Sequence, residues 1–514
     1  MASATLLRRL LLLILVATSV AAAASVDVTS AVAGQIRVNC GASVSATDSD
    51  GREWAGDAAS SGVAADASYE DPSLHSAVPY MTARVFNSTY TYSFPVAAGR
   101  VFLRLFFYPS DYGDRTAADA LFGVAAGGVT LLRDFNASQT AIALDLACIV
   151  REFSLNVSAN SAVHVTFTPS SQHHYAFVNG IEIVPAPSDL FDTNKPVPTV
   201  GRPDPTPLRA DTAFQTMYRL NVGGAAVLPS DDSAHLYRTW AGDSPYILGA
   251  GFGVSYGKDP NVTIQYGPST APRYAAPESV YGTARSMGPT GQVNLNYNLT
   301  WVLPYIDAGF YYLVRLHLCE IQYPITRPNQ RVFDVFVNNR TAEKAVDVVA
   351  MGGGIGRPTL ADYLVVTEPA GSSDELITEL WVQMHPDVPA RPQIYDAILN
   401  GLEVFKLQTY HDNSLAGPNP PPITTQTDID VGPRKKKKSG AFVAAWAAAA
   451  GGLAAVCLGC LCAWAVYRRK KKAASSVVVV DVPGATATAT ETPDSPPSVV
   501  LDQAKSSYAF DTAR

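Results

Sequence analysis

The sequence predicts an all-β protein: two tandem antiparallel β-sandwiches, then one membrane-spanning helix and a disordered tail. Three observations carry this. Eight short anchors recur in the same order in two successive stretches of chain. Between them, short runs of Val, Phe, Tyr, Leu and Thr alternate with polar residues and are bounded by Gly, Pro, Asn and Asp, as half-buried strands are. Finally, Gly440–Tyr467 is uncharged and rich in Ala, Leu, Val, Cys and Trp, which is long enough to cross a bilayer core of about 30 Å as a helix.

Residues 1–24 read as a signal peptide. Arg8 and Arg9 form its positive region, Leu10–Val16 its apolar region, and Ala21–Ala24 supply small residues for cleavage. Basic clusters flank the apolar span on both sides, Arg434–Lys438 and Arg468–Lys472, so charge asymmetry alone does not orient it. The signal peptide does. Residues 25–433 are expected outside the cytosol and 468–514 inside, giving a single-pass type I membrane protein.

The chain has 514 residues and a net charge of −7. No basic stripe invites nucleic acid, and the Lys-rich runs read as collars of the membrane span. Sequons occur at Asn87, Asn136, Asn156, Asn261, Asn298 and Asn339, all in the outer region, as on a secreted glycoprotein. Cysteine is too sparse for a disulfide scaffold, so the sandwiches must hold themselves by apolar cores. Outside lie Cys40, Cys148 and Cys319; Cys40 and Cys148 are the one pair within a single repeat, which makes them the candidate disulfide. Cys457, Cys460 and Cys462 fall in the membrane span.

The first copy, 25–185, opens with RVNCG (Arg37–Gly41) and DGREWAGD (Asp50–Asp57); the second, 208–409, with RLNVGG (Arg219–Gly224) and LYRTWAGD (Leu236–Asp243). YMTAR (Tyr80–Arg84) matches YGTAR (Tyr281–Arg285). The apolar strands RVFLRLFFYP (Arg100–Pro109) and FYYLVRLHLCEIQYP (Phe310–Pro324) follow, and AFVNGIEIV (Ala176–Val184) or AILNGLEVF (Ala397–Phe405) closes each copy. Trp54 and Trp240 are expected as core anchors. Phe102, Leu103 and Leu105, with Tyr311, Leu313 and Val314, are the predicted buried faces. Asn179-Gly180 and Asn400-Gly401, inside apolar runs, read as two-residue hairpin turns.

The linker 186–207 follows Pro185, and seven prolines fall between Pro185 and Pro207. Proline fixes φ and restricts the residue before it, so the linker is expected to be a stiff extended spacer. The Pro-rich stretch 410–439 reads as a stalk, 440–467 as the transmembrane helix, and 468–514 as a cytoplasmic tail whose Thr-, Ser- and Pro-rich composition cannot build a core.

The order N-C-G, D-x-x-G-R-x-W, T-A-R, L-H-x-C-E-I-x-Y and N-G-x-E resembles the malectin-like domain. The tandem pair with stalk and membrane helix resembles the extracellular half of plant receptor-like kinases of the Catharanthus (FERONIA-type) group. The resemblance implies jelly-roll sandwiches at the plasma membrane, with the N-terminal region extracellular. It also implies capture of a secreted signalling peptide, a lipid-anchored co-receptor or a full-length receptor kinase as partner, and contact with pectin-type oligosaccharide of the wall. Carbohydrate binding would use aromatics and acids at the strand ends: Tyr108, Asp111, Tyr112, Glu320 and Tyr323. The family's kinase motifs are not present: no V-A-I-K lysine, no H-R-D and no D-F-G. Two readings stay open, a receptor-like protein without catalysis or the ectodomain-plus-helix part of a receptor-like serine/threonine kinase. A pectin-binding wall-to-membrane tether is the structural alternative.

No enzyme is expected. The acid pairs Asp111 with Asp119 and Glu320 with Asp334 are accounted for as strand-end and loop residues. His173-His174 has no third ligand at metal spacing. Neither cofactor nor metal is expected.

Overall fold

The computed structural model describes residues 34–421 except 159–161, 192–194, 250–252, 268, 324 and 368–375. The signal peptide, the transmembrane span, the tail and 422–439 of the expected stalk therefore lie outside the described residues. Among those described, no helix is long and apolar enough to cross a membrane.

Each copy is a sandwich. In the first, a four-stranded sheet (Tyr90–Pro95, Ala162–Pro169, Phe122–Ala126, Val129–Phe135) faces a second sheet centred on Gly99–Phe107. Between them lies a core containing Leu103, Leu105, Phe107, Tyr92, Phe122 and Phe167. In the second, Leu299–Asp307, Ile377–Pro386, Phe333–Val337 and Arg340–Val346 face the sheet of Tyr311–Leu318, around Trp240, Trp301, Leu303, Val314 and Val382.

The inner sheets of the two copies are one sheet of 11 strands. The first copy contributes Ile36–Asn39, Gly180–Pro185, Gly99–Phe107 and Ile149–Val157 in spatial order, and the second Phe214–Asn221, Gly401–Leu407, Tyr311–Leu318 and Thr359–Val366. The joint is antiparallel, with Phe153 opposite Gln215 and Ser154 opposite Phe214. Strand for strand the order repeats, so the last strand of copy one accepts the first strand of copy two.

The linker is not a free spacer. The outward face of the shared sheet carries an apolar row, Phe102, Val184, Phe214, Leu313, Leu364, Phe405 and Leu407, and Leu190, Phe191 and Val197 of the linker pack onto it. The Phe191 ring stacks on Phe214 at 4.3 Å. Val197 and Thr206 pair with each other, and Thr199 lies beside Leu364 of the last strand. Apolar area removed from water is worth roughly 25 cal/mol per Å², and an extended proline-rich segment gives up little backbone entropy by lying flat on a sheet.

Two further expectations are corrected. Asn179-Gly180 and Asn400-Gly401 are not hairpin turns. Ala176–Val178 pairs with Thr82–Phe86 while Gly180–Pro185 belongs to the large sheet, so the dipeptide is where the chain crosses from one sheet to another. The stalk also starts late. Ser414 pairs with Thr409 and Thr130, Leu415 is buried in the first core, and the Asn419 Nδ2 donates to Asp134 O at 2.6 Å. Residues 413–420 thus form a strap on the first sandwich.

Candidate functional site

The repeated motifs build the same lock twice. In copy one, Asp57 accepts from Gly41 N at 2.7 Å, from Arg84 Nη2 at 2.6 Å and from the Tyr92 hydroxyl at 2.8 Å. In copy two, Asp243 accepts from Gly223 N at 3.0 Å, Arg285 Nη2 at 2.8 Å and Trp301 Nε1 at 2.9 Å. Gly41 and Gly223 have φ of +87° and +72°, and a Cβ on either would stand 2.2 or 2.1 Å from the carbonyl oxygen of Ala83 or Ala284. Only glycine fits there. Trp54 and Trp240 are fully buried, with Trp54 Nε1 donating to Asp48 at 2.8 Å and Trp240 Nε1 to Asp232 at 3.3 Å. They are the core anchors the sequence led us to expect.

The five candidate ligand residues do not form one site. Tyr108 and Tyr112 are buried. The Tyr108 hydroxyl accepts from Asp71 N and donates to Tyr69 O, both at 3.0 Å; the Tyr112 hydroxyl donates to Tyr108 O at 2.7 Å. Glu320 is buried against Arg331, which also holds Asp396 at 2.9 Å. Burial pushes the Glu320 and Asp396 carboxyls up despite that guanidinium. Asp111 is exposed and accepts from Ala117 N at 2.8 Å. Tyr323 alone presents an open ring, 58% exposed, on the other copy. Three of the five residues are therefore structural. The sequence signal was strand-end aromatics, which tight packing of a corner uses as readily as a ligand does.

The Cys40–Cys148 bridge is not formed. Both are free thiols, as is Cys319. Cys40 lies in the core beside Asp57 and Tyr92, whereas Cys148 lies beside the Tyr80 hydroxyl, and burial pushes both thiols up. Five sequon asparagines, Asn87, Asn156, Asn261, Asn298 and Asn339, are exposed. Asn136 caps the helix Ala137–Leu144 by accepting from Gln139 N at 2.8 Å.

A ladder of alternating charge crosses the outward face of the shared sheet. Its links are Arg37 to Glu182 at 2.7 Å, Glu182 to Arg104 at 2.7 Å, Arg104 to Glu152 at 2.7 Å, Glu152 to Arg219 at 2.9 Å and Arg219 to Glu403 at 2.6 Å. His317 meets Glu403 at 3.0 Å and Arg315 meets Asp362 at 2.8 Å. Burial alone would raise Glu152, but the Arg219 and Arg104 guanidiniums outweigh it and bring its pKa down to about 2. Glu182 is held low in the same way, by Arg104, Arg52 and Arg37 against its burial. The loop Leu236–Tyr237 of copy two closes over the ladder. Arg104 Nη2 donates to Leu236 O at 2.7 Å, and the Arg37 guanidinium lies 4.6 Å from the Tyr237 ring. The ladder was half visible in the repeats, as the Arg of R-x-N, the Arg of the apolar strand and the Glu of N-G-x-E; its continuity across the joint was not.

Beyond the ladder, beside the last strand, lies a cleft of about 970 Å³. Asp189, Leu190 and Lys195–Pro198 of the linker form one wall and Ser269–Pro272 with Tyr274 and Ala275 another, with Leu360–Tyr363 as the floor. It is the size of a ligand site. Sequence reasoning missed it because its walls come from the linker and a loop that the repeats do not share.

Two sandwiches fused through one sheet and built on a duplicated Asp–Arg–Gly lock define a tandem-repeat β-sandwich protein. The chain belongs to the malectin-like domain family, which residues 38–407 match. The receptor-like protein kinase FERONIA of Arabidopsis thaliana is 45% identical over 451 residues, covering 85% of this chain and 49% of that protein. ANXUR2 of the same plant is 43% identical over 451 residues, covering 85% and 50%. The chain spans about half the length of the curated relatives it matches. A crystal structure of the plant receptor-like kinase FER is similar with a TM-score of 0.69 at 47% identity, covering 76% of this chain and 100% of that one. A chain in the crystal structure of the plant peptide RALF23 in complex with FER and LLG2 is similar with a TM-score of 0.68 at 46% identity, covering 76% and 98%.

Proposed function

We propose that this chain is the ligand-recognising part of a single-pass plasma-membrane receptor-like protein. Its double sandwich captures a secreted signalling peptide of the RALF class, together with a lipid-anchored co-receptor of the LLG type. The observation that carries this reading is the 46% identity and near-complete coverage of the chain matched in the RALF23–FER–LLG2 complex. The rigid, charge-locked joint supports it, because a pre-organised surface loses less entropy on binding. The sandwiches recognise and do not catalyse; phosphorylation belongs to a kinase domain, in the same polypeptide or in a partner receptor.

The test is secreted ectodomain, residues 25–433, titrated with labelled RALF23 peptide with and without LLG2. Saturable binding that tightens with LLG2 is expected. No binding in either case refutes the reading, and binding of pectin oligosaccharides alone replaces it with the tether.

A further inference from the structure

We propose that the cleft beside Thr359–Val366 is a strand-addition site for a basic, extended peptide segment. This rests on the reading that the double sandwich captures a secreted peptide and gives that capture a place and a chemistry.

Leu364 N donates to Pro198 O, and Val200 N donates to Leu364 O, each at 2.8 Å. The outer edge of the strand is thus filled at Leu364. At its other end Ala271 N donates to Pro358 O at 2.8 Å. The ladder to Tyr311–Leu318 runs without a bulge from Thr359 to Val366. Residues of the same parity as 358 and 364 therefore turn their N–H and C=O outward. Between those two positions they are Leu360 and Asp362, and among the described residues their main-chain groups have no partner. Both line the cleft. An unpaired edge of this kind is a template for an added strand.

The molecule already uses this edge once. In copy one the equivalent strand, Ile149–Val157, takes Phe214–Asn221 as its neighbour. Glu152 pairs with Arg104 there as Asp362 pairs with Arg315 here. The added strand brings Glu152 a second cation, Arg219 at 2.9 Å, and the Thr216 hydroxyl at 2.5 Å. Among the described residues Asp362 has Arg315 as its one cation, and its side chain is 24% exposed against 9% for Glu152. The place of the second cation is open. The described lining residues agree in sign: Asp189, Glu343 and Asp362 against Lys195 and Arg315 leave one negative charge in excess. A strand entering here would bond Leu360 and Asp362 through its backbone and set an Arg or Lys on the Asp362 carboxylate.

The probe is a capped synthetic peptide of residues 212–221, the strand that copy one accepts, offered to the ectodomain at up to about 1 mM. Protection of the Leu360 and Asp362 amides from hydrogen exchange is expected. Leu360→Pro should abolish it, since proline removes an outward N–H that no internal bond uses. Asp362→Asn is the second variant. It should weaken the peptide about tenfold and leave the same peptide carrying Arg219→Ala unchanged, a coupling that misfolding would not produce. No protection at these two amides, or equal binding by Leu360→Pro, overturns the proposal. Binding of RALF23 to the unaltered ectodomain is read separately, so the two proposals fail independently.

Discussion

Glu152→Gln is the sharpest perturbation of the joint between the sandwiches. The carboxylate sits on the last strand of copy one and takes Arg104 from its own copy and Arg219 from the next. Two routes give the cost. Its fall from 4.5 to about 2 corresponds to about 3 kcal/mol at 1.36 kcal/mol per pKa unit. Breaking a buried pair by deleting one partner costs about 3–5 kcal/mol, and the lower end applies because Arg104 keeps Glu182 and Arg219 keeps Glu403. For the roughly 390 residues of the double sandwich, the unfolding entropy near 60 °C is roughly 0.8 kcal/mol/K, so Tm should fall by about 4 °C. The same group sets an acid limb. Its folded value lies below its unfolded one, so its contribution is complete above about pH 4.5 and is lost as pH falls through about 2. Calorimetry of secreted ectodomain from pH 2 to pH 7 reads both effects. The variant should lie below the unaltered protein at neutral pH and converge on it toward pH 2. A variant with unchanged Tm, or a gap that does not close with acid, would refute the account of the ladder.

Four further outcomes are expected. Asn179→Ala removes the acceptor of Tyr108 N and the donor to Tyr80 O and Thr82 O; it should cost about 3 kcal/mol, and Asn400→Ala the same, measured by urea midpoints. Thiol labelling of the native ectodomain should leave Cys40 and Cys319 unmodified, and denaturation without reductant should expose three thiols, since all three are free. Glycopeptide mass spectrometry should find Asn136 the least occupied of the six sequons, because its Oδ1 caps a helix and its Nδ2 donates to Ala118 O at 3.3 Å. Gly417→Val should release the strap, as a Cβ there would stand 2.0 Å from Asp307 Oδ2; exchange of amides 413–420 should rise while that of Gly99–Phe107 stays slow.

The sandwiches were legible because their determinants are local or repeated. Alternation gave the strands, and the repeated W-A-G-D, T-A-R and N-G-x-E gave the two copies. The Asn-Gly reading failed because a hairpin and a sheet crossing use the same dipeptide. What separates them is a long-range contact: a Cβ on Gly180 would stand 2.5 Å from Pro79. The linker misled for a related reason. Seven prolines speak for stiffness, while Leu190 and Phe191 speak for burial, and a linker can be both stiff and packed. Tyr108 and Tyr112 are buried in a corner because a tyrosine hydroxyl at a strand end serves packing as well as a sugar. The free edge at Leu360 and Asp362 had no sequence signal at all, since it is defined by which neighbours are missing.

Comparing the two copies separates what folds the protein from what distinguishes its surfaces. The recurring lock and anchor residues, Asp57 and Asp243, Arg84 and Arg285, Asn179 and Asn400, Trp54 and Trp240, are buried and satisfied within their own sandwich. None of these is available to a partner. The copies differ at their last strands. Copy one has its edge filled by copy two, whereas copy two ends in a strand covered at Leu364 and Pro358 and open between them. A duplicated sheet that grows head to tail must leave one such edge, and natural proteins cover theirs to avoid unwanted pairing. Here the linker covers Leu364 and the loop at Ala271 covers Pro358, leaving Leu360 and Asp362 open between them at the floor of a cleft. That partial cover limits what can pair to a short strand of a single chain, which is the requirement for recognising a peptide without inviting a second sheet.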